Sequence, residues 1–180
     1  MTKSIKLKHI TDFKKVCYYS VCIEYDDGEI DETSLFEGFV YEFENCESKK
    51  LQHIQNWLEQ IGNKYGASIG WFRPEQCDGE ALGLPPSSKK HPQYIEDGHQ
   101  TSNNLRLYCH RANDQVVFLF SGGIKTADTP QNCPNVKDSF ELANKLTEVI
   151  DQAMISKEIT WNEDYSDIIY PESLTLTLEL

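Results

Sequence analysis

Arg106, Tyr108 and His110 recur at every second position of Leu105–Arg111, LRLYCHR. In an extended strand that spacing puts the three on one face and leaves Leu105, Leu107 and Cys109 on the other. Arg111 follows directly, and Lys125 stands beyond the next apolar run. A face carrying Arg, Tyr and His with a second Arg and a Lys nearby is what an anion or phosphodiester site needs. Guanidinium and ammonium groups neutralise phosphate, and an imidazole carries protons near neutral pH. A plainer reading competes with it at each position: the arginines can pair with carboxylates, and Tyr108 and His110 can be packing residues. Alternation also turns Arg111 away from His110, unless the turn redirects it.

The elements that must hold these residues are legible nearby. Ala112-Asn113-Asp114 is a turn, and Val116–Phe120 is apolar and β-branched or aromatic enough to be the buried partner strand of a hairpin. Gly122-Gly123 is expected to interrupt that strand. Upstream, Val16–Tyr25 reads as a central strand closed by Asp26-Asp27-Gly28. Ser34 and Glu37 have capping-box spacing, and Phe36, Phe39, Val40 and Phe43 follow at helical spacing. A second helix is predicted from about Ser48 to Ile61, with Leu51, Ile54 and Leu58 on one face and Gly62 beyond its end. Residues 66–103 are broken by Pro74, Pro85, Pro86 and Pro92 and read as a long loop carrying Lys89, Lys90, His91 and His99. Thr126–Val136 is another loop. A last helix follows, with Phe140, Ala143, Leu146, Val149, Ile150 and Ala153 on its apolar face. The chain ends in SLTLTLEL, where Leu174, Leu176, Leu178 and Leu180 alternate with polar residues as in an amphipathic strand. The predicted order is β-α-α-loop-β-β-α-β.

Composition narrows the partners. The 180 residues carry a net charge of −12, which disfavours generic nucleic-acid binding. The charge is unevenly spread: Glu24–Glu47 holds ten carboxylates and no Lys or Arg, whereas Met1–Lys15 holds five Lys against Asp12. An acidic surface that solubilises the protein, or an acidic element covering a basic groove, would each produce that pattern. The six cysteines form no CxxC pair, and neighbours such as Cys109 and His110 point to opposite strand faces, so neither a disulfide framework nor a zinc site is expected. No apolar run reaches membrane-spanning length and the first residues lack a signal-peptide pattern, so the expected location is cytoplasmic with no membrane partner.

Taken in order, Leu105–Arg111, Val117–Phe120 leading to Gly122-Gly123-Ile124-Lys125-Thr126, and the helix over 139–154 resemble the RelE/HigB-like toxin superfamily, in particular its phage-derived branch. That resemblance implies an α+β, RelE-like fold: a small antiparallel sheet, centred on a meander, packed with an N-terminal helical hairpin and a C-terminal helix. The domain would span 1–156 with an inserted loop near 66–103, and 157–180 would be an acidic tail ending in a strand. It implies the toxin-like component of a toxin–antitoxin system, a metal-independent endoribonuclease acting on mRNA without a cofactor. Arg106, Tyr108, His110, Arg111 and Lys125 would inherit the catalytic positions, driving attack of a ribose 2′-OH on the adjacent phosphate. The implied partners are an antitoxin protein and mRNA or the ribosome; separately, the exposed alternation of Leu174–Leu180 leads us to expect that this strand adds to an edge of its own sheet or to a second copy of the protein, as a homodimer. The chain departs from the family in its length, its acidity, its insertion and its tail. The alternative reading is therefore a catalytically inactive binding or regulatory protein that presents an acidic protein-contacting surface.

Overall fold

The computed structural model describes residues 1–75, 81–87 and 90–180; Cys77 and Lys89 lie outside the described residues. Its frame is a seven-stranded sheet in the order β11-β1-β2-β8-β7-β4-β3. The strands of that sheet are β1 (Thr2–Asp12), β2 (Cys17–Ile23), β3 (Arg73–Pro74), β4 (Leu82–Leu84), β7 (Leu105–Arg111), β8 (Val116–Ile124) and β11 (Leu176–Glu179). Two short ribbons lie apart from it: β5 (Ile95–Glu96) with β6 (His99–Gln100), and β9 (Thr160–Trp161) with β10 (Ile168–Ile169). The helices are α1 (Leu35–Phe43), α2 (Ser48–Gln60) and α3 (Lys137–Ile155).

Each helix forms where its apolar stripe and ends allow. The Ser34 hydroxyl accepts from the Glu37 N–H while the Glu37 carboxylate accepts from the Ser34 N–H, a closed capping box that starts α1. Phe39 and Phe43 of α1, together with Leu51, Ile54, Trp57 and Leu58 of α2, bury one face of the sheet against Tyr18, Leu105, Leu107, Cys109, Val117 and Leu119. The opposite face carries Tyr19, Val21, Tyr108, Val116, Phe118 and Phe120, and α3 covers it with Phe140, Ala143, Leu146, Ile150 and Ala153. The sheet is therefore the middle layer of three.

This architecture corrects the expected small antiparallel sheet with an N-terminal helical hairpin and a C-terminal helix; it does not support a RelE-like fold. Three departures produce the difference. The sheet is mixed, because β2 and β8 run parallel. On one edge, β1 pairs antiparallel with β2, and β11 pairs with β1. Within the Lys-rich Met1–Lys15, Ile5 and Leu7 alternate with Lys6 and Lys8 as a strand requires. On the other edge, the proline-broken segment supplies β4, which pairs with β7, and β3. Its backbone groups are satisfied by an existing edge, so no periodic pattern is needed. Helices α1 and α2 follow two strands and cover one face, while α3 takes the other.

Gly122-Gly123 does not interrupt β8 either. The strand runs on to Ile124, with a register shift between Leu107 and Cys109 on the facing strand. At that shift the backbones come so close that a Cβ on Gly122 would lie 1.7 Å from the Arg106 carbonyl oxygen. Only a residue without a side chain fits there. Gly122→Ala is accordingly expected to lower unfolding free energy by about 3 kcal/mol, through overpacking against backbone that cannot move aside. Urea unfolding of the two proteins checks this, and a loss under about 1 kcal/mol would contradict it.

Candidate functional site

Strand β7 has no solvent face. Leu105, Leu107 and Cys109 point to α1 and α2, so alternation puts Arg106, Tyr108 and His110 on the opposite face, where α3 covers Tyr108 and His110. Arg106 is 7% exposed, Tyr108 0% and His110 7%. The Tyr108 ring packs 5.2 Å from that of Phe140 on α3, and the His110 ring stacks 6.1 Å from Phe118. His110 Nε2 lies 3.0 Å from Asp151 Oδ1, also on α3, in a geometry that does not make an aligned hydrogen bond. The imidazole thus faces a helix carboxylate, and that carboxylate was not foreseen in the sequence.

The structure does gather Arg106, Tyr108 and Lys125 near one another, at the end of the sheet where β3 stops. Lys125 Nζ donates to Glu75 Oε2 at 2.9 Å, and both side chains are buried, 11% and 2% exposed. Arg106 donates from Nη1 to the carbonyls of Asn103 and Leu105 at 2.5 and 3.2 Å. Its guanidinium is pulled down to about 10, by burial first and then by the neighbouring Arg73, with Glu75 opposing. Burial likewise raises the Tyr108 phenol, aided by Glu75. Arg106 Nε, Tyr108 Oη and Glu75 Oε1 find no hydrogen-bond partner among the described residues. Lys125 and Arg106 therefore face one described carboxylate, Glu75, with Arg73 close enough to oppose the Arg106 charge while its own guanidinium donates to the carbonyls of Pro85 and Pro86. Arg111 is not part of this group: it turns to the hairpin loop, where Nη2 lies 3.5 Å from Asp114.

Sequence reasoning missed Glu75, Arg73 and Cys133. The first two sit in the proline-broken segment, where no periodicity indicates a direction, and they reach Lys125 and Arg106 across long sequence separations. Cys133 lies in the loop before α3, and its thiol is fully buried. Burial alone would raise it, yet hydrogen bonds from Thr126 and from the backbone of Asn135 and Ala127 outweigh this and hold it down at about 7. Its Sγ accepts from the Thr126 N–H at 3.2 Å. Of the other cysteines among the described residues, Cys22 and Cys109 are buried, Cys17 is half-buried and Cys46 is exposed.

Comparison with family models, with curated proteins and with solved structures finds no significant match. The chain is described, then, by its own geometry: an α+β protein with a mixed seven-stranded sheet and a buried, cation-rich polar cluster. Among the described residues no helix is long and apolar enough to cross a membrane.

Two measurements follow from this site. Lys125→Met strands the buried Glu75 carboxylate and should cost about 3 kcal/mol, whereas Tyr108→Phe removes a hydroxyl without a described partner and should change stability by less than about 1 kcal/mol. Equal losses in chemical denaturation would mean the cluster is not arranged as described. Cys133 makes stability depend on pH: its folded value of about 7 lies below the ordinary 9.0, so its contribution is full above pH 9 and is lost as pH falls through 7. The urea midpoint of the parent should therefore gain between pH 6.5 and 9 relative to that of Cys133→Ala.

Proposed function

We propose that this chain is a binding protein that presents acidic surface to a basic partner, and that its buried polar residues serve the fold. The observation that carries this reading is the cover over β7. Arg106, Tyr108 and His110 would have to meet a phosphodiester for RNA cleavage, yet Tyr108 and His110 lie between the sheet and α3, and Arg106 is buried beside Arg73 and Glu75. Lifting α3 would expose Phe140, Leu146 and Ile150, each fully buried, at about 1.5–3 kcal/mol apiece. That sum is comparable to the whole stability of a domain, so an uncovered state is populated at about one part in a thousand or less.

The acidic surface, by contrast, is open. After β2, the loop and α1 expose Asp26, Asp27, Glu29, Glu32, Glu42 and Glu44. Tyr25 and Tyr41 stand among them, 53% and 60% exposed. Carboxylates around protruding tyrosines favour a cationic protein surface, since charge steers the encounter and tyrosine supplies contact area. A second acidic stretch runs along α3 and the strands after it, with Glu148, Glu158 and Glu179 exposed.

A second reading keeps the toxin-like endoribonuclease, supported by the convergence of Arg106, Tyr108 and Lys125 beside Arg73. One experiment separates the two. Induced expression is expected to leave growth unchanged, and purified protein is expected not to cleave RNA in a manner that depends on His110 or Arg106. Growth arrest and RNA cleavage by the parent, both reduced about 10²-fold or more in His110→Ala, would overturn the binding reading. The binding reading also requires that polylysine bind the parent and lose about tenfold affinity when Asp26, Asp27 and Glu29 are changed together to Lys.

A further inference from the structure

Strand β11 closes one edge of the sheet, and the direction of its backbone groups can be read from a single pair. The Leu180 N–H donates to the Met1 carbonyl at 2.8 Å, and the Met1 amino group reaches the Leu180 carbonyl at 3.3 Å. In an antiparallel ladder such mutual pairs recur every second residue, so Leu178 and Leu176 also turn their backbone groups toward Lys3 and Ile5 of β1. Thr177 and Glu179 therefore direct their N–H and C=O groups away from the sheet, and the Thr175 C=O, on the same peptide as the Leu176 N–H, does so too. Among the described residues none of these outward groups is seen in a backbone hydrogen bond. An edge with free backbone groups is a template for another strand.

What lies beside that edge is not flat solvent. An open groove of about 570 Å³ runs between β11 and the flank of α3. Val149, Ala153 and Leu178 give it an apolar floor, and Glu148, Glu158 and Glu179 stand along it against the single cation Lys145. We propose that this groove receives an extended segment of a partner protein, with alternating apolar and cationic side chains, which adds to β11 as an eighth strand. The inference rests on the binding reading above and gives that reading a seat. Main-chain hydrogen bonds to Thr175, Thr177 and Glu179 would provide most of the affinity, and alternate apolar side chains would settle over Val149 and Ala153. The cationic set is selected by the carboxylates. A second copy of this chain is disfavoured as the occupant, because it would set another chain of charge −12 against the carboxylates of this groove.

The test uses the full chain and an eight-residue peptide of alternating Lys and Val with blocked ends, together with the same peptide N-methylated at every residue. Calorimetric or fluorescence titration at low salt should show the first peptide binding and the N-methylated one at least tenfold weaker, because methylation removes the strand donors and leaves the charge. Thr177→Pro should weaken the first peptide by a similar factor. Its N–H points outward, so the bonds to β1 persist and the melting curve should stay close to that of the parent. A second variant on the helix side, Glu148→Lys, should weaken binding without touching the strand. Equal binding of the two peptides would overturn strand addition while leaving a charge-based binding surface intact. No binding of either peptide would overturn the groove outright. A parent dimer that Thr177→Pro dissociates would put a second copy there and overturn the proposed occupant. Failure of the binding reading itself is registered elsewhere, by RNA cleavage that depends on His110.

Discussion

Nearly everything in this molecule depends on burying both faces of β7 and β8 at once. Leu105, Leu107 and Cys109 are held by α1 and α2, while Tyr108, Phe118 and Phe120 are held by α3. A central pair buried on two sides has no place for solvated polar groups, so those that occur there draw together, although Arg106 Nε, Tyr108 Oη and Glu75 Oε1 keep no described hydrogen-bond partner. That burial explains why Arg106 turns to the carbonyls of Asn103 and Leu105, why Asp151 on α3 lies against His110, and why Glu75 meets Lys125. It also explains the close backbone approach at Gly122, since the shift in register lets β7 keep both of its faces packed.

The polar cluster at the end of the sheet is a product of the same constraint. Burial lowers the Arg106 guanidinium and raises the Tyr108 phenol, and Arg73 adds to the first effect while Glu75 adds to the second. Such an arrangement stabilises little on its own, because desolvation offsets the attraction within each pair. Removing one partner is costly nonetheless, so the group holds β3, β7 and the segment after β8 in a single relative position. The exposed chemistry lies elsewhere, in the carboxylates and tyrosines after β2 and in the groove beside β11, where backbone and side chains still face water.

Local elements were legible in the residue order wherever pattern and ends coincided. The capping box at Ser34, the stripes of α1 and α2, the hairpin from Leu105 to Phe120, the helix over 139–154 and the strand in SLTLTLEL all stand where spacing places them. Leu176 and Leu178 show why: alternation is a property of neighbours, and neighbours are what a sequence displays. Tertiary structure alone decided how these pieces meet. The parallel contact of β2 with β8, the two outer strands beside β2, and the recruitment of β4 by β7 join residues far apart in the chain. So do the partners of the polar residues, for no periodicity connects Glu75 with Lys125 or His110 with Asp151. Spacing placed Arg106, Tyr108 and His110 on one face of a strand. Whether that face met water or a helix depended on which side of the sheet α3 would cover, and the balance of apolar burial over the whole molecule settled it.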